Sequence, residues 1–577
     1  MKRILYFILS FLLLLGNVSC EKLTLPEGPP TSSQAIMLDH DNLELTVGEE
    51  KTIKLSVENG KSFVKRFSFS SSTPEIVSVE KDGGFGVKLM ARRAGTAVVK
   101  FIADDKDVEL TCNVTVKEVP SDGITRILAI GNSFSEDALE AYLHSIATQA
   151  GDSIVIGNLY IGGSSLEQHL TNANQNNKAY SYRKIDKSGR KTTTNNVAIA
   201  DVLNEERWDY ISFQQVSQSS GQYATFETTL PALYNYVKNK VIYSKTKYIF
   251  HQTWAYAQNS THDGFANYNR DQLTMYNSIK DAVQRAATLI QADRIVPAGT
   301  AIQNGRTTFW GDNFCRDGYH LDLNVGRYLA ACTWYEAIFG KSVIGNPYNP
   351  GSFMLSRKEM EMAQHAAHAA ILKPFEITEM TNFKQVDVSE FTTPVYLDFG
   401  QKTQTAGWNG VTSPLAGTTV PFLREKSGSL TSLSLTIIER FNNLNEAGEL
   451  NTVTDFNMPN SVSQTNYYGN PKQPFLNLTV PKSVVRISGL DPAKNYNFCF
   501  FGSRGGTAET RQTKFISKGQ NEAIAYLNVG SNKTNVACTN GIKPDTDGNV
   551  FITVTAGEQN DNPTGFYHLS AMRISVQ

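Results

Sequence analysis

Three side chains that lie far apart in the sequence have the types needed to activate a nucleophile. Ser133 lies in RILAIGNSFSEDALEAYL, after a short apolar run and before a segment patterned as a helix. Asp317 and His320 lie three residues apart in FCRDGYHLDLNVGRYLA. An aspartate can orient an imidazole whose other nitrogen takes the proton of a serine hydroxyl. These residue types therefore predict acyl transfer, provided that the fold brings the three together.

The turn around Ser133 favours this chemistry but does not prove it. Glu136 and Asp137 suit the first turn of a helix, whose free backbone N–H groups can stabilise an oxyanion. A serine in a strand-to-helix turn is more often only a turn residue. A second serine, Ser153 in the sequence GDS, precedes a strand instead of following one, so we predict it at the opposite edge of the sheet. The G-x-S-x-G nucleophile motif is absent from the chain.

Residues 124–372 must supply the elements that position these side chains. Five apolar runs (RILAI, SIVIGNLYI, DYISFQQ, KYIFHQTWAY and RIVPAGTAI) alternate with segments of helical pattern. This alternation predicts a parallel sheet with helices on both faces. Right-handed crossovers place the carboxyl ends of the strands along one edge, where ligands bind in such sheets. Ser133, Asp317 and His320 each follow a strand, so we expect them at that edge.

Three sequence blocks in this region resemble the SGNH hydrolases, a superfamily of esterases and lipases on a flavodoxin-like sheet. GNSFS contains Ser133, IGGSSLEQHL contains Gly163, and DGYH contains Asp317 and His320. The resemblance implies that Ser133 is the nucleophile, His320 the base, Asp317 its orienting partner and Gly163 a donor to the oxyanion. It implies no metal and no cofactor.

The third block of the family pattern departs from the usual Gly-x-Asn-Asp. It reads WDYISFQQVSQSSG, in which Gln214 or Gln215 offers the side-chain amide that the family's asparagine supplies. We favour Gln214, although strand alternation places the two on opposite faces and leaves the choice open. Asn132 stands where the family usually has aspartate, in a position that braces the turn.

Segments on both sides of this region read as strands. Residues 36–118 resemble a bacterial Ig-like group 2 domain, and residues 393–577 resemble carbohydrate-binding β-sandwich modules. Residues 21–35 predict an extended tether and residues 373–392 a linker. The expected fold is therefore multidomain: a central α/β flavodoxin-like parallel sheet flanked by two all-β sandwich domains.

The C-terminal segment contains side chains that suit a sugar surface. Aromatic faces fit pyranose rings, and the candidates are Trp408, Tyr467, Tyr468 and Arg504. For any single one of them, a place in the core or in a turn is favoured over sugar binding. Sugar binding by this segment is thus an expectation from the resemblance.

The first 20 residues predict an export signal. Lys2 and Arg3 precede an apolar run that is too short to cross a bilayer, and GNVSC ending at Cys20 resembles a bacterial lipobox. The resemblance implies lipidation of Cys20 and a membrane anchor, with the protein at the cell surface, on the outer membrane or facing the periplasm. A plain secretory signal is the alternative.

Composition excludes several other classes. The formal net charge is −1, and no long basic run is present, which argues against nucleic acid as a partner. The cysteines show no CxxC spacing, which argues against a zinc site. Cys499 and Cys538 could form a disulfide, but the sequence does not decide this. His365 and His368 lie three apart on a predicted helix without a third ligand, so we interpret them as surface residues.

These observations predict an exported esterase that removes O-acetyl or other ester groups from a polysaccharide or oligosaccharide. The alternative is a glycan-binding or adhesion protein at the cell surface whose hydrolase-like domain is inactive. A lipase is disfavoured because the sequence shows no amphipathic lid segment.

Overall fold

The computed structural model describes residues 23–24, 36–57, 66–103, 109–351, 354–385, 388–402 and 405–577. Cys20, the rest of the predicted signal and the predicted tether beyond Leu23–Thr24 lie outside the described residues. Within those ranges, no helix is both long and apolar enough to span a bilayer.

Two sheets make up the N-terminal region. The five-stranded sheet has the order β1-β5-β8-β9-β3, and the four-stranded sheet has the order β2-β4-β7-β6. Buried apolar side chains from both sheets, such as Ile53, Phe67 and Val99, form one core. The strands are β1 Leu23–Thr24, β2 Ile36–Leu38, β3 Asn42–Thr46, β4 Glu50–Val57, β5 Arg66–Ser71, β6 Val77–Lys81, β7 Gly86–Ala91, β8 Gly95–Ala103 and β9 Glu109–Lys117.

The central region contains a seven-stranded sheet in the order β13-β12-β11-β10-β14-β15-β16. Five of its strands are parallel and follow the order 2-1-3-4-5 when numbered along the chain. The strands are β10 Ile124–Gly131, β11 Ser153–Tyr160, β12 Tyr180–Ile185, β13 Lys191–Val197, β14 Tyr210–Phe213, β15 Lys247–His251 and β16 Arg294–Val296. The parallel sheet expected from the alternating pattern is therefore present.

Nine helices of the described chain belong to this region. They are α1 Ser133–Leu139, α2 Leu143–Gln149, α3 Leu166–Gln175, α4 Ile199–Val202, α5 Thr229–Lys240, α6 Gln272–Leu289, α7 Ala298–Arg306, α8 Val325–Phe339 and α9 Arg357–Leu372. Helix α8 is buried along almost its whole length, because its sequence VGRYLAACTWYEAIF is apolar on nearly every face. It packs against α1, the helix that begins at Ser133.

Two features of this region differ from the sequence prediction. Strands β12 and β13 form an antiparallel hairpin that extends the sheet beyond β11. Residues 373–392, expected to be a linker, pack in part on the α/β domain. The backbone N–H of Thr378 donates to Asn304 Oδ1 at 2.7 Å, and that of Met380 donates to Thr307 Oγ1 at 2.9 Å. A loop that satisfies these buried polar groups is held in place instead of moving freely.

The C-terminal region consists mainly of two sheets that face each other, with the orders β18-β17-β31-β25-β28 and β19-β20-β24-β29-β26-β27. Side chains such as Leu397, Ile437 and Phe515 fill the core between them. The elements are β17 Val395–Phe399, β18 Asn409–Val411, β19 Thr419–Val420, β20 Ser434–Glu439, β21 Asn443–Asn445, α10 Asn460–Ser463, β22 Asn466–Phe475, β23 Leu478–Val480, β24 Lys482–Ser488, β25 Tyr496–Phe501, β26 Gln512–Lys518, β27 Glu522–Asn528, β28 Ala537–Ile542, β29 Val550–Ala556, β30 Tyr567–Leu569 and β31 Ala571–Val576.

A disulfide cross-links two strands of this region, and a buried ion pair joins the region to the α/β domain. Cys499 and Cys538, which face each other on β25 and β28, form the disulfide that the sequence left open. Glu359, at the start of α9, is fully buried and receives two hydrogen bonds from the guanidinium of Arg424 in the C-terminal region. Removing one partner of a buried ion pair leaves an uncompensated charge, which is costly. The α/β domain and the C-terminal region are thus joined by a strong polar contact.

Asp398 is a buried acid that should make the stability of the C-terminal region depend on pH. It lies on β17 with no exposed surface, and neither carboxylate oxygen has a hydrogen-bond partner within the described ranges. Burial raises the pKa of Asp398 well above 3.8. The unfolded chain ionises this group near pH 4 while the folded chain keeps it protonated, so the group lowers stability as the pH rises above that value.

We predict that Asp398→Asn stabilises the C-terminal region at pH 7 and changes its stability little at pH 3. The gain should grow as the pH is raised between those values, because the amide does not titrate and folding no longer requires the uptake of a proton at this position. Denaturant midpoints measured by circular dichroism across this range test the prediction. Asp547→Asn, at an exposed turn, is the control and should show no such growth. A constant difference at every pH would contradict the assignment of a raised pKa.

Candidate functional site

The structure brings Ser133, His320 and Asp317 together at the carboxyl edge of the parallel strands. His320 Nε2 lies 2.8 Å from Ser133 Oγ, and His320 Nδ1 lies 2.7 Å from Asp317 Oδ2. With the Nδ1 proton donated to Asp317, Nε2 is free to accept the serine proton. This is the geometry of a nucleophile, a base and an orienting acid.

Asp317 is held ionised by its neighbours. Burial raises its pKa, but the hydrogen bond and charge of His320 and the nearby Arg316 guanidinium outweigh burial, so the pKa lies below 3.8. The other carboxylate oxygen accepts backbone N–H groups from Tyr319 at 3.2 Å and His320 at 2.8 Å. The short loop therefore fixes the carboxylate against the ring that it orients.

Ser133 is the first residue of α1, and the residue before it builds the turn. Asn132 Oδ1 caps the helix by accepting the N–H of Phe134 at 3.0 Å, and its Nδ2 donates to Ser164 O at 3.0 Å. Asn132 thus braces the turn, as expected for this position, and links it to the loop that contains Gly163. The Ser133 hydroxyl is left half-buried at the surface of the site.

The backbone offers donors for an oxyanion. Gly163 is exposed in the turn after β11 with φ +68°, a left-handed conformation that glycine adopts without strain. The N–H groups of Ser133 and Gly163 have no protein acceptor in the part of the chain that the structure describes. Both are therefore available to a substrate oxygen.

The two glutamines of the third block have different surroundings. Gln215 uses both ends of its amide: Oε1 accepts the N–H groups of Leu166 and Val216, and Nε2 donates to Thr225 Oγ1 at 3.0 Å. Gln215 is therefore a structural residue, and the expectation that it donates to an oxyanion is wrong. A buried amide with all its partners inside the protein has none left for a ligand.

Gln214 lies beneath the nucleophile turn. Its Nε2 donates to Asn132 Oδ1 at 2.7 Å, and its Oε1 lies 2.9 Å from His251 Nδ1. Burial lowers the pKa of His251 to about 3, so this imidazole is neutral and donates to the amide. Gln214 thereby fixes Asn132 and keeps one amide hydrogen without a protein acceptor within the described ranges, and its role as an oxyanion donor stays a prediction.

Sequence reasoning missed the buried carboxylate that aligns the two halves of the site. Asp137 on α1 is 1 % exposed and accepts from Arg316 Nη1 at 3.1 Å, from Arg327 Nε at 2.9 Å and from the N–H of Leu321 at 2.8 Å. Arg316 and Leu321 flank the loop with Asp317 and His320. The helix of the nucleophile is thus bonded to the loop of the base. In the sequence, Asp137 looked only like an acid of the first helical turn.

Aromatic rings complete the support of the site. Trp254 stacks on Phe134 with a centroid distance of 4.3 Å and donates from Nε1 to Tyr319 O at 2.8 Å. Its side chain is fully buried, as is that of Tyr256. Both side chains therefore pack beneath the site and do not line a cleft.

The remaining candidates lie elsewhere. Ser153 is exposed at the start of β11, at the opposite edge of the sheet. His368 pairs with Glu336, and His365 packs on Phe383. No group of three or more His, Cys, Asp or Glu residues that could hold a metal ion occurs in the searched residues.

Trp408 and Tyr467 in the C-terminal region are not surface platforms. Trp408 is 5 % exposed and packs against Tyr396. Tyr467 is buried and donates from its hydroxyl to Val411 O at 2.7 Å. The expectation that Trp408 binds sugar is therefore wrong, because its faces lie within the protein. Arg504 lines an open pocket instead.

Comparison with known proteins assigns the family. Residues 126–370 match a family model described as a domain of unknown function, DUF4886. The crystal structure of a DUF4886 family protein from Bacteroides uniformis is 50 % identical and covers 45 % of this chain and 100 % of that one, with a TM-score of 0.44. The chain belongs to the DUF4886 family.

More distant structures are also similar to this chain. A candidate SGNH hydrolase from Slackia heliotrinireducens is 18 % identical over 37 % of this chain and 98 % of that one, with a TM-score of 0.27. A catalytic mutant of an acetylxylan esterase from Geobacillus stearothermophilus is 14 % identical over 38 % of this chain and 96 % of that one, also with a TM-score of 0.27. No curated protein sequence matches the chain.

We predict that Asp137→Asn destabilises the α/β domain by on the order of 3 kcal/mol, because two largely buried guanidiniums lose the charge that they face. The catalytic loop should also lose its alignment, so that reaction of Ser133 with an organophosphonate slows. Denaturant unfolding and the labelling rate measure the two effects.

The matched control is Asp152→Asn. That carboxylate is largely buried and also accepts from the Tyr335 hydroxyl, so an intermediate loss is expected there. Asp281→Asn is the exposed control: its pair with Arg285 has both side chains exposed, and a loss of less than about 1 kcal/mol is expected. Equal effects of Asp137→Asn and Asp281→Asn would contradict the role given to Asp137.

Proposed function

We propose that the protein is an exported serine esterase that removes O-acetyl groups from a polysaccharide. The observation that carries the proposal is the continuous hydrogen-bonded series from Ser133 through His320 to Asp317, at 2.8 and 2.7 Å. The order 2-1-3-4-5 of the parallel strands, which is that of flavodoxin-like sheets, supports the relation to SGNH hydrolases.

The reaction follows from the geometry. His320 Nε2 takes the hydroxyl proton of Ser133 as Oγ bonds to the ester carbonyl carbon, and the N–H groups of Ser133 and Gly163 bind the resulting oxyanion. Collapse breaks the bond to the sugar oxygen, which receives the proton from His320. Water, deprotonated by His320, then attacks the acetyl-serine, the bond from the acyl carbon to Ser133 Oγ breaks, and Oγ takes the proton back from His320 as acetate leaves. Loss of one oxyanion donor typically costs roughly 10²–10³ in rate.

A polar crevice beside the catalytic loop supports a hydroxyl-rich substrate. It has a volume of about 40 Å³, adjoins Asp317, and is lined by Asn259, Thr261 and Asn313 of the α/β domain and Thr418 of the C-terminal region. Amide and hydroxyl side chains of this kind suit hydrogen bonds to sugar hydroxyls better than they suit acyl chains. The crevice is too small for a sugar ring, so its support is limited to a hydroxyl-sized polar contact beside Asp317.

Export is supported by the chemistry of the C-terminal region. Disulfides persist mainly in oxidising compartments, and Cys499 and Cys538 form one. Together with the lipobox-like sequence ending at Cys20, the disulfide supports an exported protein with a lipid anchor.

We predict that the wild-type protein releases acetate from an acetylated polysaccharide such as acetylxylan, and that Ser133→Ala lowers kcat by about 10⁴-fold or more. His320→Asn should have a similar effect, because the hydroxyl then lacks its base. Acetate release and covalent labelling by an organophosphonate measure the loss.

Ser153→Ala is the matched control, since this serine lies at the other edge of the sheet, and it should retain full activity. Failure of the wild type to release acetate or to react with the phosphonate would favour the alternative, a glycan-binding protein with an inactive hydrolase domain.

A further inference from the structure

The C-terminal region contains a second pocket. Its volume is about 340 Å³, within the range of small-molecule sites. The lining combines aromatic rings with guanidiniums and an imidazole: Tyr468, Phe475, Phe566, Arg504, Arg511 and His568. This combination of apolar faces and cationic donors is what a ring-shaped anion requires.

Three rings build the apolar wall. Phe566 meets Phe475 edge to face with centroids 5.1 Å apart, and Tyr468 meets Phe566 in the same way at 5.5 Å. Phe475 remains 41 % exposed, so its ring is open to a ligand. Sugar rings present C–H groups that pack on such faces, which is why an exposed aromatic beside a polar pocket suits a carbohydrate.

The cationic side of the pocket contains one guanidinium without a carboxylate partner. Arg511 is occupied, since Nε and Nη2 donate to Glu509 and Nη1 lies 3.3 Å from His568 Nε2. Arg504 bonds only to the backbone oxygens of Ala447 and Gly505, through Nη1. Its Nε and Nη2 have no acceptor within the described ranges, and these two donors match the oxygens of a carboxylate.

The surroundings leave this positive charge uncompensated. Glu446, the acid that lines the pocket, forms an ion pair with Lys402. Burial, together with the charges of Arg511 and Arg504, lowers the pKa of His568 well below 6.5, so the imidazole adds no charge. The unpaired charge in the pocket is therefore that of Arg504.

We propose that this pocket binds a uronic-acid residue of an acidic polysaccharide, with the sugar ring against Phe475 and Phe566 and the carboxylate on Arg504. The site is distinct from the serine site, and the assignment does not depend on esterase activity. The proposal assigns a negatively charged sugar as the ligand of the C-terminal region.

The test is calorimetric titration of the full chain bearing Ser133→Ala, so that no ligand is consumed. The probes are trimers of galacturonate, glucuronate and mannuronate, each beside its fully methyl-esterified form, which differs only in the carboxylate charge. We expect at least one acid trimer to bind, and its methyl ester to bind at least about 10-fold more weakly, as expected from losing a charged hydrogen bond.

Variants separate the two parts of the pocket. Arg504→Gln should weaken the acid trimer at least about 10-fold and leave its methyl ester unchanged, whereas Phe475→Ala should weaken both. Arg440→Gln is the control for the first, because Arg440 likewise bonds to backbone oxygens, and Phe551→Ala is the control for the second, because Phe551 is 37 % exposed outside the pocket. Circular dichroism checks that each variant is folded.

Three results would overturn the proposal: no binding of any acid trimer, equal binding of acid and ester, or undiminished binding by Arg504→Gln. Acetate release by the wild type is a separate measurement, so failure of either site can be recognised independently.

Discussion

The ion pairs of Asp137 are the constraint on which the serine site depends. A serine hydroxyl and an imidazole separated by almost two hundred residues must be held within hydrogen-bond distance, and neither side chain can do this alone. Asp137 stands on the helix of the nucleophile, and its carboxylate bonds to Arg316 and Leu321 on the loop of the base. Because the carboxylate is buried, these bonds are electrostatically strong and poorly screened. One side chain thus fixes the relative position of two segments.

A second buried layer fixes the turn itself. The neutral imidazole of His251 bonds to Gln214, Gln214 bonds to Asn132, and Asn132 caps the helix. These hydrogen bonds leave the turn few alternative arrangements, although His251 Nε2 is buried without a partner in the described residues. Ser133 therefore rests on a polar network that begins two strands away from β10, on β15.

The serine site was predictable because topology does most of the positioning. Strand-to-helix alternation identified a parallel sheet, and the carboxyl ends of parallel strands must share an edge, so residues after different strands could be placed together without distances. The residues that brace them could not be found this way. Asp137 acts through contacts between segments remote in sequence, and nothing in its local pattern distinguishes a buried partner from a surface residue.

The C-terminal region was harder to predict for a related reason. An aromatic side chain is equally suited to a core and to a sugar surface, so residue type placed Trp408 at a surface when the fold buries it. Phe475 and Phe566 gave no signal, since their exposure follows from a hairpin turn and a loop. Arg504 lines an open pocket, and its binding to a glycan stays a prediction. The hairpin β12–β13 was missed because its exposed strand has no apolar alternation.

The buried pair of Glu359 and Arg424 has a consequence for how a long chain would be processed. The pair joins two parts of one compact unit, which contains both the serine site and the pocket of Arg504. A polymer bound at both sites would place its ester groups at a set distance from the sugar residue held at Arg504. The pattern of remaining substituents along the product would then record that interval.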